Sequence, residues 1–270
     1  MKKLITAVLV CTMFSSHAQF KLNKKTVSSG TKVAKALTFT NKDAIKLSAD
    51  AVQWMDENNP VANDQDPYTI RLNRLFKSHK NEDGLALNYK VYLVKDINAF
   101  ACADGSVRVF SSLMDILTDN ELLAVIGHEV GHVKNEDTKK AIKSAYLTAA
   151  AMDAAASQSG AVQTLSESQL GEFAQEFLGS SHSRKQESKA DDYSYAFMKK
   201  NNYNVVGAYT AFKKLGLLSG SAKEQKTIEK MMNSHPDSNK RAETVKAKAE
   251  KDGLWNDPGS VTLPTEPIKQ

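Results

Sequence analysis

The residues of this 270-residue chain best suited to chemistry are His128, Glu129 and His132, spaced as H-E-x-x-H. Two histidines four apart on a helix project from one face and can share a metal ion. Imidazole nitrogens bind zinc at roughly 2.0–2.1 Å, which a rigid helix can present with little reorganisation. Glu129 lies one position on from His128, beside such a metal rather than on it. There it can hold a zinc-bound water and accept its proton. The alternative is a helix with two solvated or core histidines. Gly127 and Gly131 speak against it, because each costs a helix interior about 1 kcal/mol relative to Ala. Close approach of another backbone, or of the metal, would explain them. Leu122, Val125, Ile126 and Val133 also make this a buried helix, where unpaired histidines are costly.

A catalytic zinc needs a third protein ligand. Glu136 shares the helical face but lies eight residues from His128, about 12 Å along the axis and too far to share the ion. A metzincin continuation is absent, because its Gly and third His would fall at Asn135 and Thr138. The best remaining candidate is Glu187, four residues before Asp191 on a second helix that Ser183 can cap. Glu187 is expected to bind the zinc. Asp191 is expected to accept the free ring N–H of one ligand histidine and fix its tautomer. His235-Pro236 followed by Arg241 is a third feature. His235 could donate to the oxyanion of a tetrahedral intermediate, with Arg241 helping to position it; a plain loop before a helix is the competing reading. His79 and His182 carry no partner pattern.

The elements that must position these residues are mostly helical. Ala44, Leu47, Ala51 and Trp54/Met55 form a helical stripe over residues 42–57. Asp66-Pro67 starts a second helix reaching to about Lys80. Alternation of Leu85, Leu87, Tyr89, Val91 and Leu93 reads as a strand. Residues 98–103 are a second extended piece, and the turn residues 103–106 lead into a returning strand at Val107 and Val109. Thr118 and Glu121 form a capping box ahead of the H-E-x-x-H helix, and Ser221 and Glu224 form another. Gly253 should stop the last helix, leaving a proline-marked disordered tail over 254–270. Residues 141–156 are alanine-rich but too short and too weakly apolar to span a bilayer. The expected class is therefore α+β, with a small antiparallel sheet near residues 85–110 beside the active-site helix.

Composition narrows the class. Hydrophobic residues make up 41 % and charged residues 25 %, ordinary globular values. The net charge of +5 comes with no dense basic block or aromatic interleaving, so nucleic acid is not an expected partner. Residues 1–18 combine Lys2 and Lys3, a short apolar run and Ser16-His17-Ala18, the pattern of a secretory signal peptide. Cleavage after Ala18 removes both lysines and takes the charge from +5 to +3. Lipidation of Cys11 is the other outcome, although Val10 is larger than the small residue that such a signal prefers. Either way Cys102 stays unpaired in the fold. Residues 19–40 read as a flexible lead-in and 41–253 as one domain.

Together, H-E-V-G-H at 128–132, Glu187 with Ala190-Asp191, and His235-Pro236 with Arg241 resemble the gluzincin metallopeptidases that include HtpX, the CAAX prenyl proteases and the mitochondrial Oma proteases. The stretches YKVYLVKDINAFACADGSVRVFSSLMDILTDNELLAVIGHEVGHV and KQESKADDYSYAFMKK look close to the bacterial outer-membrane members. The likeness runs from about residue 40 to 252. It implies a zincin-like zinc endopeptidase of the cell envelope, acting in the periplasm or at the periplasmic face of the outer membrane. One zinc per chain, polypeptide substrates (damaged or misassembled envelope proteins), peripheral or lipid-anchored membrane association and an envelope protein partner follow from the same likeness. It also implies that the strand at Asn98, Ala99 and Phe100 borders the cleft and pairs with extended substrate. Two further readings stay open: an envelope chaperone that keeps the protease fold, and a latent protease held shut by residues 159–183 or by its tail.

Overall fold

The computed structural model describes residues 39–152, 165–220 and 225–268. The signal peptide, most of the lead-in and the Ser221/Glu224 capping box lie outside them. Helix α1 (Asn41–Asn58) starts at Thr40, which exchanges hydrogen bonds with Asp43, and buries Ala44, Leu47, Ala51, Val52 and Met55. Helix α2 (Pro67–Phe76) is capped by Asp66 with Pro67 in its first turn. It passes at Lys77–His79 into a single 3-10 turn, so it ends earlier than the expected Lys80.

The strands correct one expectation. The run from Leu85 to Leu93 is not one strand. Asp83 and Gly84 both have positive φ (47° and 84°), and they turn a two-residue hairpin of β1 (Asn81–Glu82) and β2 (Leu85–Ala86). Leu87 N–H donates to Lys80 O, closing that hairpin, and β3 (Asn88–Tyr92) begins after it. The larger sheet has the order β3-β5-β4, with β4 at Ala99–Ala101 and β5 at Ser106–Phe110. The β4–β5 hairpin is antiparallel as expected, but β3 runs parallel to β5. The chain between β3 and β4 carries β4 to the far edge, which leaves β5 in the middle. Alternation sets which face a side chain takes but not which neighbour a strand pairs with. The central position shows instead in β5, where all five residues are buried.

Each face of this sheet carries a layer of helices. Val91, Ala99, Val107 and Val109 face a cluster with Leu113, Leu122, Ile126 and Met198. Tyr92, Phe100 and Phe110 face the other way, against Leu47, Met55, Tyr146 and Phe173. The first layer contains α3 (Ser111–Ile116), α4 (Asp119–Lys134), α7 (Arg184–Lys200), α8 (Val206–Ser219), α9 (Gln225–Ser234) and α10 (Ser238–Lys251). The second contains α1, α5 (Asp137–Met152) and α6 (Glu167–Leu178). Inside the sheet Arg108 would be an isolated buried cation, but Asp56 of α1 receives its Nε at 2.7 Å and its Nη2 at 2.9 Å. After Gly253 (φ 68°) no helix or strand follows among the described residues, yet the segment is in contact with the fold. Trp255 packs edge-on against Tyr209, and Ile268 N–H donates to Asp115 O.

Candidate active site

Helix α4 carries H-E-x-x-H, and its start is held from three sides. Thr118 and Glu121 close the expected capping box. Buried Arg71 donates to Met114 O and Leu117 O, and buried Lys214 donates to Ile116 O and Glu121 Oε2. The two glycines then receive their explanation. A methyl group on Gly131 would stand 3.1 Å from Ala190 Cα and O, and one on Gly127 would meet the Phe197 ring at 3.0 Å. Both close neighbours belong to α7: its backbone at Gly131, and the Phe197 and Ser194 side chains at Gly127. Ser194 Oγ donates to Ala124 O at 2.6 Å across the same crossing. This contact brings the first turns of α7, capped by Ser183 with Gln186, onto the histidines.

Side chains of His128, His132, Glu187 and His235 converge, all buried, with one candidate ligand atom from each within 4.8 Å of the others. His128 Nε2 and His132 Nε2 are 3.0 Å apart. Glu187 Oε1 lies 3.2 Å from His132 Nε2, and its Oε2 3.6 Å from His128 Nε2. Ligands on a tetrahedral ion at 2.0–2.1 Å stand about 3.3 Å apart, so these three side chains have spacings close to those that a metal requires. Charge agrees with this. Glu129, Asp137, Glu187 and Asp191 are four buried carboxylates around one buried guanidinium, Arg241. A divalent cation would offset most of that excess.

The supporting contacts are partly as expected. Asp191 Oδ1 lies 2.9 Å from His128 Nδ1 and can accept its N–H. His132 turns its Nδ1 to Asp137 Oδ2 at 3.3 Å, a partner that sequence reasoning missed. Asp137 reaches the ring because Glu136 adopts a left-handed φ of 58°, which turns the chain sharply between α4 and α5. Arg241 differs from expectation. It spans the carboxylates, donating to Asp191 through Nε at 2.9 Å and Nη2 at 2.6 Å, and pairing with Glu187 through Nη1 at 2.8 Å. Its guanidinium lies 4.0 Å over the Phe212 ring. His235 enters the cluster itself, with Nδ1 3.2 Å from Glu187 Oε1 and Nε2 3.4 Å from Glu129 Oε1. His182, also missed, stacks on His132 with ring centroids 3.9 Å apart. His79 serves elsewhere, between Glu82 and Tyr203.

Burial and neighbours set the charges. Burial, with the charges of Arg241 and His132, pushes His128 down to about 3. His132 goes up to about 9, because hydrogen bonds to Asp137 and Glu187 outweigh its burial. Burial likewise opposes the lowering of Glu187, Asp191 and Asp137, but the ring hydrogen bonds win, and the last two fall to about 2. Glu129 is raised by burial, and its Oε1 is buried without a hydrogen bond. Burial and the neighbouring His132 and His235 lower His182 to about 3.

Strand β4 lies at the edge of the sheet beside this cluster. Asn98 O accepts from Phe110 N–H and Cys102 N–H donates to Ser106 O, so residues 98 and 102 face β5. The backbone groups of Ala99 and Ala101 therefore face outward. Asn98 Oδ1 accepts the Ala99 N–H at 3.0 Å.

Residues 70–249 match Peptidase family M48. The chain belongs to that family. It is 37 % identical over 254 residues to Metalloprotease LoiP of Escherichia coli, covering 94 % of this chain and 98 % of that protein. It is 38 % identical over 221 residues to Metalloprotease YcaL of the same organism, covering 82 % and 85 %. A mitochondrial metalloendopeptidase OMA1 of Arabidopsis thaliana is 28 % identical over 163 residues, 59 % of this chain and 31 % of the plant protein. The protein is thus an M48 metalloendopeptidase, and the cluster at His128, His132, Glu187 and His235 is able to bind its metal.

Proposed function

We propose that the metal is zinc, held by His128, His132 and Glu187, and that the enzyme cleaves misfolded or misassembled proteins of the bacterial envelope. The observation that carries this reading is Glu129: its carboxylate is buried beside the three ligands with one oxygen free of hydrogen bonds. A bound zinc ion supplies Lewis acidity, polarising the scissile carbonyl and lowering the pKa of a coordinated water. Glu129 takes the proton from the attacking water and passes it to the leaving amine, and its raised pKa suits a group that must hold a proton between the two steps. Asp191 and Asp137 accept the Nδ1–H of His128 and His132, so both Nε2 lone pairs face the site. Arg241 keeps Glu187 and Asp191 in place, and His235 is assigned to the oxyanion. An extended peptide adds to the outer edge of β4 through Ala99 and Ala101. The envelope location is supported by the N-terminal sequence. No described helix is long and apolar enough to cross a membrane.

Two measurements test this. Chelation should abolish cleavage and zinc restore it; cleavage indifferent to chelators would overturn the assignment. Glu129→Gln should retain the metal and lose activity by about 10²- to 10⁴-fold. Mass spectrometry of the mature N-terminus separates cleavage after Ala18 from lipidation at Cys11.

Latency is a second reading favoured by one observation. The cavity between β4 and the α6–α7 loop measures about 30 Å³, bordered by Phe100, Glu129, Phe177, His182 and His235. That is room for a water or two and not for a peptide. Phe177 stands edge-on over Phe100 of the substrate strand, with ring centroids 6.0 Å apart. The His182 N–H bridges to Ser234 O at 3.1 Å. On this reading the end of α6 must move before substrate enters. Phe177→Ala should then raise kcat/KM for a long peptide; an unchanged or lower value rejects latency by α6.

A further inference from the structure

The two ligand histidines are not held equally. His128 has a short ring contact to Asp191 at 2.9 Å, and Asp191 is itself fixed by two hydrogen bonds from Arg241. At Nδ1, the ring nitrogen turned away from the cluster, His132 has the longer contact, to Asp137 at 3.3 Å. A contact of that length restrains rotation of the ring about its Cβ–Cγ bond less tightly than the 2.9 Å contact restrains His128. What lies on the face of His132 is His182, with centroids 3.9 Å apart and planes 14° apart. The other imidazoles nearby meet it edge-on or tilted, His128 at 88° and His235 at 40°.

His182 is well placed to act as a fixed support. It lies in the short link between α6 and α7, and its N–H donates to Ser234 O. The next residue, Ser183, caps α7, its N–H and Oγ–H both donating to Gln186 Oε1 at 2.9 and 2.8 Å. Gln186 Nε2 in turn donates to Asp137 Oδ1 at 2.9 Å. A single side chain thus ties together the support on the edge of His132 and the support on its face. An imidazole that ligates a cation is electron-poor, and the face of a neighbouring aromatic ring carries the negative part of its quadrupole. Stacking is therefore stronger when the metal is on His132 than when it is off.

We propose that His182 is a positioning residue of the metal centre, holding the plane of His132 so that Nε2 stays aimed at the ion. The proposal rests on the reading of His128, His132 and Glu187 as ligands. It makes the aromatic face of residue 182 the property that matters, not its ring nitrogens.

Zinc affinity of the full chain, measured by competition with a chromophoric chelator, tests it. His182→Phe keeps a flat face, and His182→Leu keeps bulk and apolarity without one. His182→Leu should weaken zinc binding about three- to tenfold, with His182→Phe within about twofold of the parent. Unfolding of the metal-free proteins should coincide for the two variants, which separates loss of the metal clamp from loss of the fold. Equal zinc affinity of the Phe and Leu variants, whether both normal or both weak, overturns the proposal. His128→Ala is measured alongside. If it loses zinc while Phe and Leu are equal, only the role of His182 fails; if it binds zinc normally, the ligand assignment itself fails.

Discussion

Replacing Gly131 by alanine adds one methyl group where α4 crosses α7. The new Cβ would lie 3.1 Å from Ala190 Cα, 3.1 Å from Ala190 O and 3.1 Å from Tyr193 Cβ. Two of these three atoms are backbone, so no rotamer change can relieve them. Ordinary contact begins near 3.4 Å, and α7 must therefore retreat by a few tenths of an ångström. Glu187 lies one turn before Ala190 and retreats with it, stretching a 3.2 Å approach to His132. Two energies oppose each other in the fold. Alanine gains about 1 kcal/mol in helix propensity, and overpacking costs about 1–3 kcal/mol. Net stability should fall by no more than about 2 kcal/mol. Catalysis has no such compensation, since a misplacement near 1 Å can cost about 10²-fold, and a shift of a third of that should cost about five- to tenfold. The assay is kcat/KM and zinc affinity for Gly131→Ala, beside chemical denaturation. Gly127→Ala is the comparison, because its nearest contacts are side chains and not backbone, the Phe197 ring at 3.0 Å and Ser194 Oγ at 3.3 Å. Gly131→Ala with parental zinc affinity and parental activity would refute the idea that this crossing sets the distance to Glu187.

Asp137→Asn keeps shape but removes the charge that accepts from His132, so zinc affinity should fall by about tenfold or more while the fold persists; chelator competition and circular dichroism report the two parts. Asp56→Ala leaves Arg108 buried without its partner and should cost about 3–5 kcal/mol of stability by urea denaturation at neutral pH. Burial alone would raise Asp56, but hydrogen bonds from Arg108, Lys90 and Tyr92 hold its pKa below 3.8. A lowered carboxylate stabilises the fold above its unfolded pKa, and that contribution is lost as pH falls through the folded value. The gap between the parent and Asp56→Ala should therefore be full at pH 6 and shrink below about pH 4. A gap that stays constant down to pH 2.5 would show that the Asp56 charge contributes nothing.

What the sequence showed of this site depended on how far apart the partners lie along the chain. His128 and His132 were legible because a helix brings residues four apart together without help from the rest of the fold. Glu187 was legible by elimination: chemistry demanded a third ligand, and α7 offered an acid four residues from a second acid. The glycines at 127 and 131 announced a close neighbour without saying which, and the structure answers with α7, through the Phe197 and Ser194 side chains at Gly127 and the backbone at Ala190 for Gly131. Asp137 stood only five residues from His132 and was still missed. Helical spacing draws attention to Glu136, and only the left-handed turn at Glu136 breaks the helix and swings Asp137 to the ring. A glutamate adopting αL is a rare choice with no local sequence signature. His182 and the β3–β5 pairing share another cause. A ring stacked across two separate segments leaves no period in either one, and strand alternation sets faces but not partners. In this protein the H-E-x-x-H part of the cluster is written in short-range spacing, while the residues that touch its rings from outside the cluster are written in turns and crossings. Mutagenesis guided by spacing alone would therefore find His128, Glu129, His132 and Glu187, and would pass over Asp137, Gln186 and His182, which by geometry support His132 from edge and face.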